Sequence, residues 1–379
     1  MRTTLSTLLL CCLAVVSPST SLFSSERLYK EQKLVKNISI RLLKRDWKPL
    51  GPSAATEDAM DEYRWDVDTA FNALFKSSWT YESAKVTDAE SLFKSDHFKK
   101  DQESIVIVHP IFSSADTNFV KTTVTALAMR NLHKKYNIFA TDMPWNNPHM
   151  MFSVFLSSIG KRAHFEPMGK AVARFLVDGV DKGYIRPEQI NLLGWSYSGQ
   201  LVGYMARHLN NKYSKKINSV VSLDPFYSES DKDMIHVSQN DAHLVHIFHT
   251  NSQKAGTRRR LGTADFVFNN GIIQPECRSP GVLENAHVCS HLKVVQRFWY
   301  VILYPSKFVG LKCSAWNSMK DCLCDGNDKT VIRYPLVQDL KIEGLYHLRT
   351  LAHRPYGVGD WGVSCTSEKR LYREFKKEN

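Results

Sequence analysis

Ile190-Asn191-Leu192-Leu193-Gly194-Trp195-Ser196-Tyr197-Ser198-Gly199-Gln200-Leu201-Val202-Gly203 is the stretch whose reading decides the fold. It opens on a short apolar run of the kind that makes a buried strand, while Leu201, Val202, Met205, Ala206 and Leu209 recur at helical spacing. Between the two lies a tight turn of small residues with Ser196 at its apex. A sharp strand-to-helix turn exposes a serine hydroxyl and needs small neighbours, which is the layout of a nucleophile elbow. The helix start brings its positive dipole end and unpaired N–H groups beside that hydroxyl. The competing expectation is that Ser196 simply caps the helix.

Outward from this stretch, other apolar runs repeat the pattern. Ser104–Val108 followed by His109, Asn137–Asp142, Val220–Asp224 and Leu244–His249 read as strands buried on both faces. Helical patterns around Val120–Leu132 and Lys170–Val180 separate several of them. Strands alternating with helices predict a doubly wound, mostly parallel α/β sheet with its site at the carboxyl ends of the strands, where Ser196 stands. Upstream, Tyr63, Trp65 and Val67 alternate as in a further strand, whereas 22–60 is polar, basic and weakly periodic and reads as an extension. Within it, Arg41-Leu42-Leu43-Lys44-Arg45 reads either as a processing site or as an exposed basic helix end. The organisation expected is a leader over 1–21, the extension over 22–60, one catalytic-type domain over 61–357 and a basic tail over 358–379.

The leader has the zones of a secretory signal peptide: Arg2, then the apolar run Leu8 to Val16, then Ser17-Pro18-Ser19-Thr20-Ser21. Export puts the chain in an oxidising compartment. Of the eight cysteines, Cys11 and Cys12 fall in the leader, which leaves six in the last third: Cys277, Cys289, Cys313, Cys322, Cys324 and Cys365. An even set there predicts disulfides. Asn37-Ile38-Ser39 is a glycosylation sequon, with Asn37 as acceptor. The formal charge of +12 draws a secreted chain to anionic surfaces and argues against nucleic acid as partner. Arg258, Arg259 and Arg260 form the densest basic run and are the candidate contact with such a surface, against the alternative of a solvated loop.

A serine hydroxyl attacks only when a histidine removes its proton and a carboxylate holds that histidine. Asp224 ends a strand and is followed by Pro225; His291 stands just before the apolar helix pattern Val294–Leu303. The order Ser196, Asp224, His291 is that of an α/β-hydrolase triad. Two backbone donors would complete the site, Tyr197 after the serine and Ile111 in the loop leaving an early strand. His243, His246 and His249 do not make a metal site, because strand alternation sends His246 to the opposite face and no acid or cysteine completes the set. No cofactor is implied.

These motifs resemble the pancreatic-type lipases and their arthropod venom phospholipase relatives over about Tyr63 to Gly357. The anchors are His109 and its loop, Asp142-Met143-Pro144-Trp145, Gly194-Trp195-Ser196, Leu223-Asp224-Pro225, Asp241-Ala242, Ile247 to Asn251, Leu261-Gly262, Asp265-Phe266 to Asn269, Gly271, Gln274-Pro275, Cys277 and Cys289-Ser290-His291. The resemblance implies Ser196 as nucleophile, Asp224 as orienting acid, His291 as base, and Ile111 and Tyr197 as oxyanion donors. It also implies that Cys277 pairs with Cys289 across a lid of eleven residues, Arg278 to Val288. Cys313 is left to pair with Cys322 or Cys324, and the remaining one with Cys365.

In that family a short lid and the lack of a C-terminal lipid-binding sandwich go with cleavage of the sn-1 ester of phospholipids. The expected activity is therefore a secreted serine ester hydrolase of phospholipase A1 type. This chain departs from the pattern at Pro110 and Ser198, where the family has glycine. Ser198 is still small, but the fixed backbone angle of Pro110 governs where the Ile111 N–H points. A lipid-binding, yolk-protein-like relative without turnover is thus a second expectation, and a triglyceride lipase a third.

Overall fold

A computed structural model describes residues 38–46, 79–110, 113–143, 162–227, 235–278, 285–316, 324, 328–336 and 342–363. The leader, Asn37, the Tyr63–Val67 pattern, Ile111, Cys322, Cys365, most of the lid loop and 364–379 lie outside the described residues. Among the described residues eleven strands form one sheet in the order β10-β9-β11-β8-β7-β6-β5-β3-β4-β1-β2. The parallel centre is β4 (Asn137–Asp142), β3 (Ser104–Val108), β5 (Ile190–Trp195), β6 (Ile217–Leu223), β7 (Ala242–His249), β8 (Ala264–Phe268) and β11 (Gly344–Leu348). Antiparallel strands flank it: β1 (Ser39–Leu43) and β2 (Tyr81–Lys85) at one edge, β9 (Val309–Cys313) and β10 (Lys329–Val331) at the other.

Five α-helices are described: α1 (Glu90–Phe93), α2 (Asn118–Met129), α3 (Arg162–Asp181), α4 (Tyr197–Tyr213) and α5 (Ala286–Leu303). The strand alternation divides the core between the two faces of the sheet. Ile105, Ile107, Leu193, Val221 and Phe248 pack with α2 and α5. Val106, Val108, Leu192, Val220 and Val245 pack with α3 and α4. This is the three-layer, doubly wound α/β fold that the alternation of strands and helices predicts.

Three readings of the sequence are corrected. Residues 39–43 of the supposed extension are β1, paired with β4 on one side and β2 on the other. Ile38, Ile40 and Leu42 are fully buried on one face. Arg41 points the other way and is buried too. It bonds both oxygens of Asp116 at 2.9 and 3.1 Å and Asp142 at 2.6 Å. The Arg41–Arg45 segment is neither a helix end nor an exposed cleavage site: Arg41 to Leu43 lie inside the sheet, and the Arg45 guanidinium donates to the His97 and Lys134 carbonyls at 2.7 and 2.6 Å. At the other end, the tail does not begin at 358. Gly359 bridges Phe308, and Val358 is buried beside Leu351. Finally, His291 lies inside α5 rather than ahead of it. The helix starts at Ala286, and Ser290 returns its hydroxyl to the Ala286 carbonyl at 2.7 Å.

Candidate active site

Ser196 joins β5 to α4 with φ 58° and ψ −120°, a conformation that costs a side-chain-bearing residue about 1–3 kcal/mol and persists only when its surroundings impose it. Here they do. The Ser196 N–H donates to the Leu223 carbonyl at 2.9 Å, and its own carbonyl accepts from the Phe226 N–H at 3.0 Å. Its hydroxyl makes no capping bond to α4, so the helix-cap reading of this serine falls. At Gly194 a Cβ would stand 2.2 Å from the Ser198 carbonyl oxygen, which leaves glycine as the residue the turn accepts.

Ser198, the departure within the elbow, is fully buried and used. Its hydroxyl accepts the Trp195 N–H at 2.9 Å and donates to the Val108 carbonyl at 2.7 Å, tying the elbow to the end of β3.

Asp224 follows β6 with φ 41° and has no solvent exposure. Its Oδ1 accepts the Thr250 and Asn251 N–H groups at 3.0 and 3.1 Å. That leaves Oδ2 for His291 Nδ1, 2.6 Å away. With Nδ1 committed to the carboxylate, Nε2 is the ring nitrogen that a base role would use. The imidazole also lies against Trp195, the residue before the serine, with ring centroids 5.6 Å apart. The structure therefore gathers Ser196, Asp224 and His291, from three separate elements, at the carboxyl end of the sheet.

Asn251 extends the arrangement. Its Oδ1 accepts Lys254 and Ala255 N–H groups, and its Nδ2 reaches the Ile272 carbonyl at 2.7 Å and His287 Nδ1 at 2.8 Å. The Asp-Pro turn and the histidine before the Val294–Leu303 pattern were legible in the sequence; the supporting role of Asn251 was not, because Asp224, Ile272 and His287, which it joins, are 27, 21 and 36 positions away. The same holds for Gly256, where a Cβ would be 2.7 Å from Asp224 Oδ1.

On the oxyanion side, Tyr197 is buried at the first position of α4, with its ring stacked on Phe165 at 4.3 Å. His109 anchors the loop opposite. Its Nε2 accepts the Met143 N–H at 2.8 Å, so Nδ1 carries the proton and donates to the Pro110 carbonyl at 2.9 Å. Burial lowers the pKa of this imidazole to about 4, which keeps it in that neutral, one-donor form. Pro110 is thus held by its own neighbour.

Cys277 and Cys289 form a disulfide with Cα atoms 5.7 Å apart, joining the lid segment to α5 two residues before His291. Cys313 pairs with Cys324, one of its two expected partners. The three arginines of the loop between β7 and β8 are exposed. Arg258 lies over the Trp316 ring at 5.8 Å and Arg259 over the Tyr227 ring at 5.4 Å. His243 is exposed, His246 faces Phe266 on one side of β7, and His249 bonds Asp265 on the other.

A doubly wound sheet with a serine on a strained strand-to-helix turn, an acid after the next strand and a histidine from a later helix defines an α/β-hydrolase. Within that class the chain belongs to the lipase family: the family model described as Lipase matches residues 39–335, beginning at the first residue of β1. The chain is 27% identical to Phospholipase A1 of Vespa velutina over 214 residues, covering 55% of this chain and 67% of that one. It is 34% identical to Phospholipase A1 2 of Dolichovespula maculata over 131 residues, covering 34% and 42%. Against the pancreatic triacylglycerol lipase of Myocastor coypus it is 23% identical over 261 residues, covering 63% and 54%. The matched stretch therefore spans between 42% and 67% of the length of these relatives.

Proposed function

We propose that this chain is a secreted serine ester hydrolase that releases the sn-1 fatty acid of phospholipids through an acyl-enzyme. The observation that carries the reading is the Asp224–His291 bond beside a serine whose backbone is strained and whose hydroxyl is not spent on capping. His291 Nε2 takes the Ser196 proton as Oγ attacks the ester carbonyl. Asp224 stabilises the imidazolium so formed. The Tyr197 and Ile111 N–H groups receive the charge on the carbonyl oxygen. His291 then returns the proton to the departing lysophospholipid oxygen, and a water activated by the same ring releases the fatty acid.

The choice of phospholipid over triglyceride is supported by the Cys277–Cys289 bridge, which leaves only eleven residues between the two cysteines. Two of the relatives carry the name phospholipase A1. Both disulfides support an oxidising, extracellular compartment. Among the described residues no helix is long and apolar enough to cross a membrane. The exposed Arg258, Arg259 and Arg260 supply peripheral contact with anionic headgroups.

The test uses purified mature protein with phospholipids labelled separately at each acyl position, beside Ser196→Ala. Release of the sn-1 label by the native chain alone is expected. Equal, negligible release by both proteins would leave a lipid-binding role, and a preference for triglyceride would move the substrate.

A further inference from the structure

The catalytic acid is held by backbone N–H groups at the start of the loop that joins β7 to β8, and that loop is held in turn by a second histidine–carboxylate pair. His249 is the last residue of β7 and Asp265 the second of β8, and neither side chain has any solvent exposure. His249 Nε2 is 2.8 Å from Asp265 Oδ1, and Nδ1 is 3.0 Å from the Thr257 carbonyl. Each ring nitrogen is thus tied to a different part of the loop, one to the start of β8 and one to Thr257. Asp265 holds the loop as well: Oδ1 also accepts the Leu261 N–H at 3.1 Å, and Oδ2 the Gly262 N–H at 3.0 Å. Trp316 closes the site edge-on, 5.0 Å from the imidazole.

We infer that the buried His249–Asp265 pair is a positioning dyad for Asp224. It touches no substrate. It grips the loop at Thr257, Leu261 and Gly262 while His249 itself leads into Thr250 and Asn251, the two residues whose N–H groups fix Asp224 Oδ1. Between the grips, Gly256 packs on the Asp224 carboxylate and the Ala255 carbonyl accepts the Tyr227 N–H at 3.2 Å. Loosening the loop frees Oδ1 and lets the carboxylate rotate, and the alignment of Oδ2 with His291 goes with it. A pair that served only to stabilise the sheet would cost folding energy and leave that alignment alone.

The inference rests on the reading of Ser196, Asp224 and His291 as the reacting group. The test compares Asp265→Asn and His249→Gln with Asn218→Ala. Asn218 is a buried control that bonds Glu103 and Asn191 at the far, amino-terminal end of the strands. For each folded, disulfide-intact protein, kcat and KM are measured on a soluble short-chain ester. The His291 Nδ1 proton is followed as a low-field NMR signal.

In the two loop-pair variants kcat should fall about 10–100-fold, the scale on which supporting hydrogen bonds act on a catalytic group, with KM within about twofold. The low-field signal should broaden or vanish. Asn218→Ala should leave both readouts intact. If the amide variant does not fold, Asp265→Glu keeps the charge, moves the carboxylate, and should give the same split. Unchanged kcat and signal in folded variants, or equal losses in the control, would overturn the inference. A wild type with a sharp low-field signal but no esterase activity would defeat the hydrolase reading instead, and the signal would still decide the positioning role.

Discussion

Arg297, on the helix that carries His291, donates a pair of 2.8 Å hydrogen bonds to the two oxygens of Glu276, the residue that precedes the lid disulfide. The arginine is fully buried, stacks over Tyr356 at 5.1 Å and bonds Thr350 at 3.1 Å. Lid base and catalytic helix are therefore joined twice, once by Cys277–Cys289 and once by this ion pair.

Removing one member of a buried ion pair strands the other without compensation, at a cost of about 3–5 kcal/mol. Arg297→Ala should lower the free energy of unfolding by that amount in urea titrations with the disulfides intact. The double replacement Glu276→Leu with Arg297→Met should recover most of it. A stable Arg297→Ala protein would mean that the disulfide alone secures the lid base.

The elbow offers a smaller, local test. Ser198→Ala keeps the volume and removes a hydroxyl bonded to the Trp195 N–H and the Val108 carbonyl. Leaving such buried groups unpaired costs about 1–3 kcal/mol. Ser198→Gly, which restores the residue of the related lipases, loses the same bonds and should be no more stable. A thermal melt of the two variants beside the parent decides it, and a Ser198→Gly protein more stable than the parent would show that the hydroxyl is not structural.

Stability should also fall on mild acidification. His246 is buried against Phe266, and burial lowers its pKa to about 4. The unfolded chain binds this proton near the ordinary value of about 6.5, so between those two values the unfolded state holds more protons and stability rises with pH. The contribution is complete above about pH 6.5 and is lost progressively toward pH 4. From pH 7 to pH 5 one such histidine accounts for about 2 kcal/mol. His246→Leu should flatten this slope in urea midpoints measured at the two pH values; an unchanged slope would assign the pH dependence to other groups such as His347, whose pKa burial also lowers to about 4.

What was legible in the sequence follows from range. Ser196, Asp224 and His291 could be picked out because each stands where an apolar run stops or starts, and strand ends are marked locally. β1 was hidden because the alternation of Ile38, Ile40 and Leu42 is short and carries a cation, Arg41, within it. The partners that allow Arg41 to be buried, Asp116 and Asp142, are 75 and 101 positions away. The start of α5 was hidden for a related reason: its opening Ala286–His291 stretch carries no long apolar stripe of its own and is held by the Ser290 hydroxyl and the Cys277–Cys289 disulfide, whose partner lies outside the helix. The loop between β7 and β8 reads as polar surface, and only the folded arrangement reveals that it supports the acid.

Gly256 tests that support from the other side. A methyl group there would stand 2.6 Å from the Asn251 carbonyl oxygen and 2.7 Å from Asp224 Oδ1, so either the loop or the carboxylate must shift. Overpacking of this kind costs about 1–3 kcal/mol. Gly256→Ala should therefore destabilise the fold moderately, but it should lower kcat at least about tenfold with KM nearly unchanged, because the displaced group orients His291. Gly183→Ala is the matched control. Gly183 has φ 71° with open space around it, in the turn that precedes β5 at the end of the sheet away from Ser196. An alanine there is strained by about 1–2 kcal/mol without touching the site. Equal kcat in the two variants, each measured well below its melting temperature, would mean that the Asp224 carboxylate tolerates displacement and that its orientation is set elsewhere.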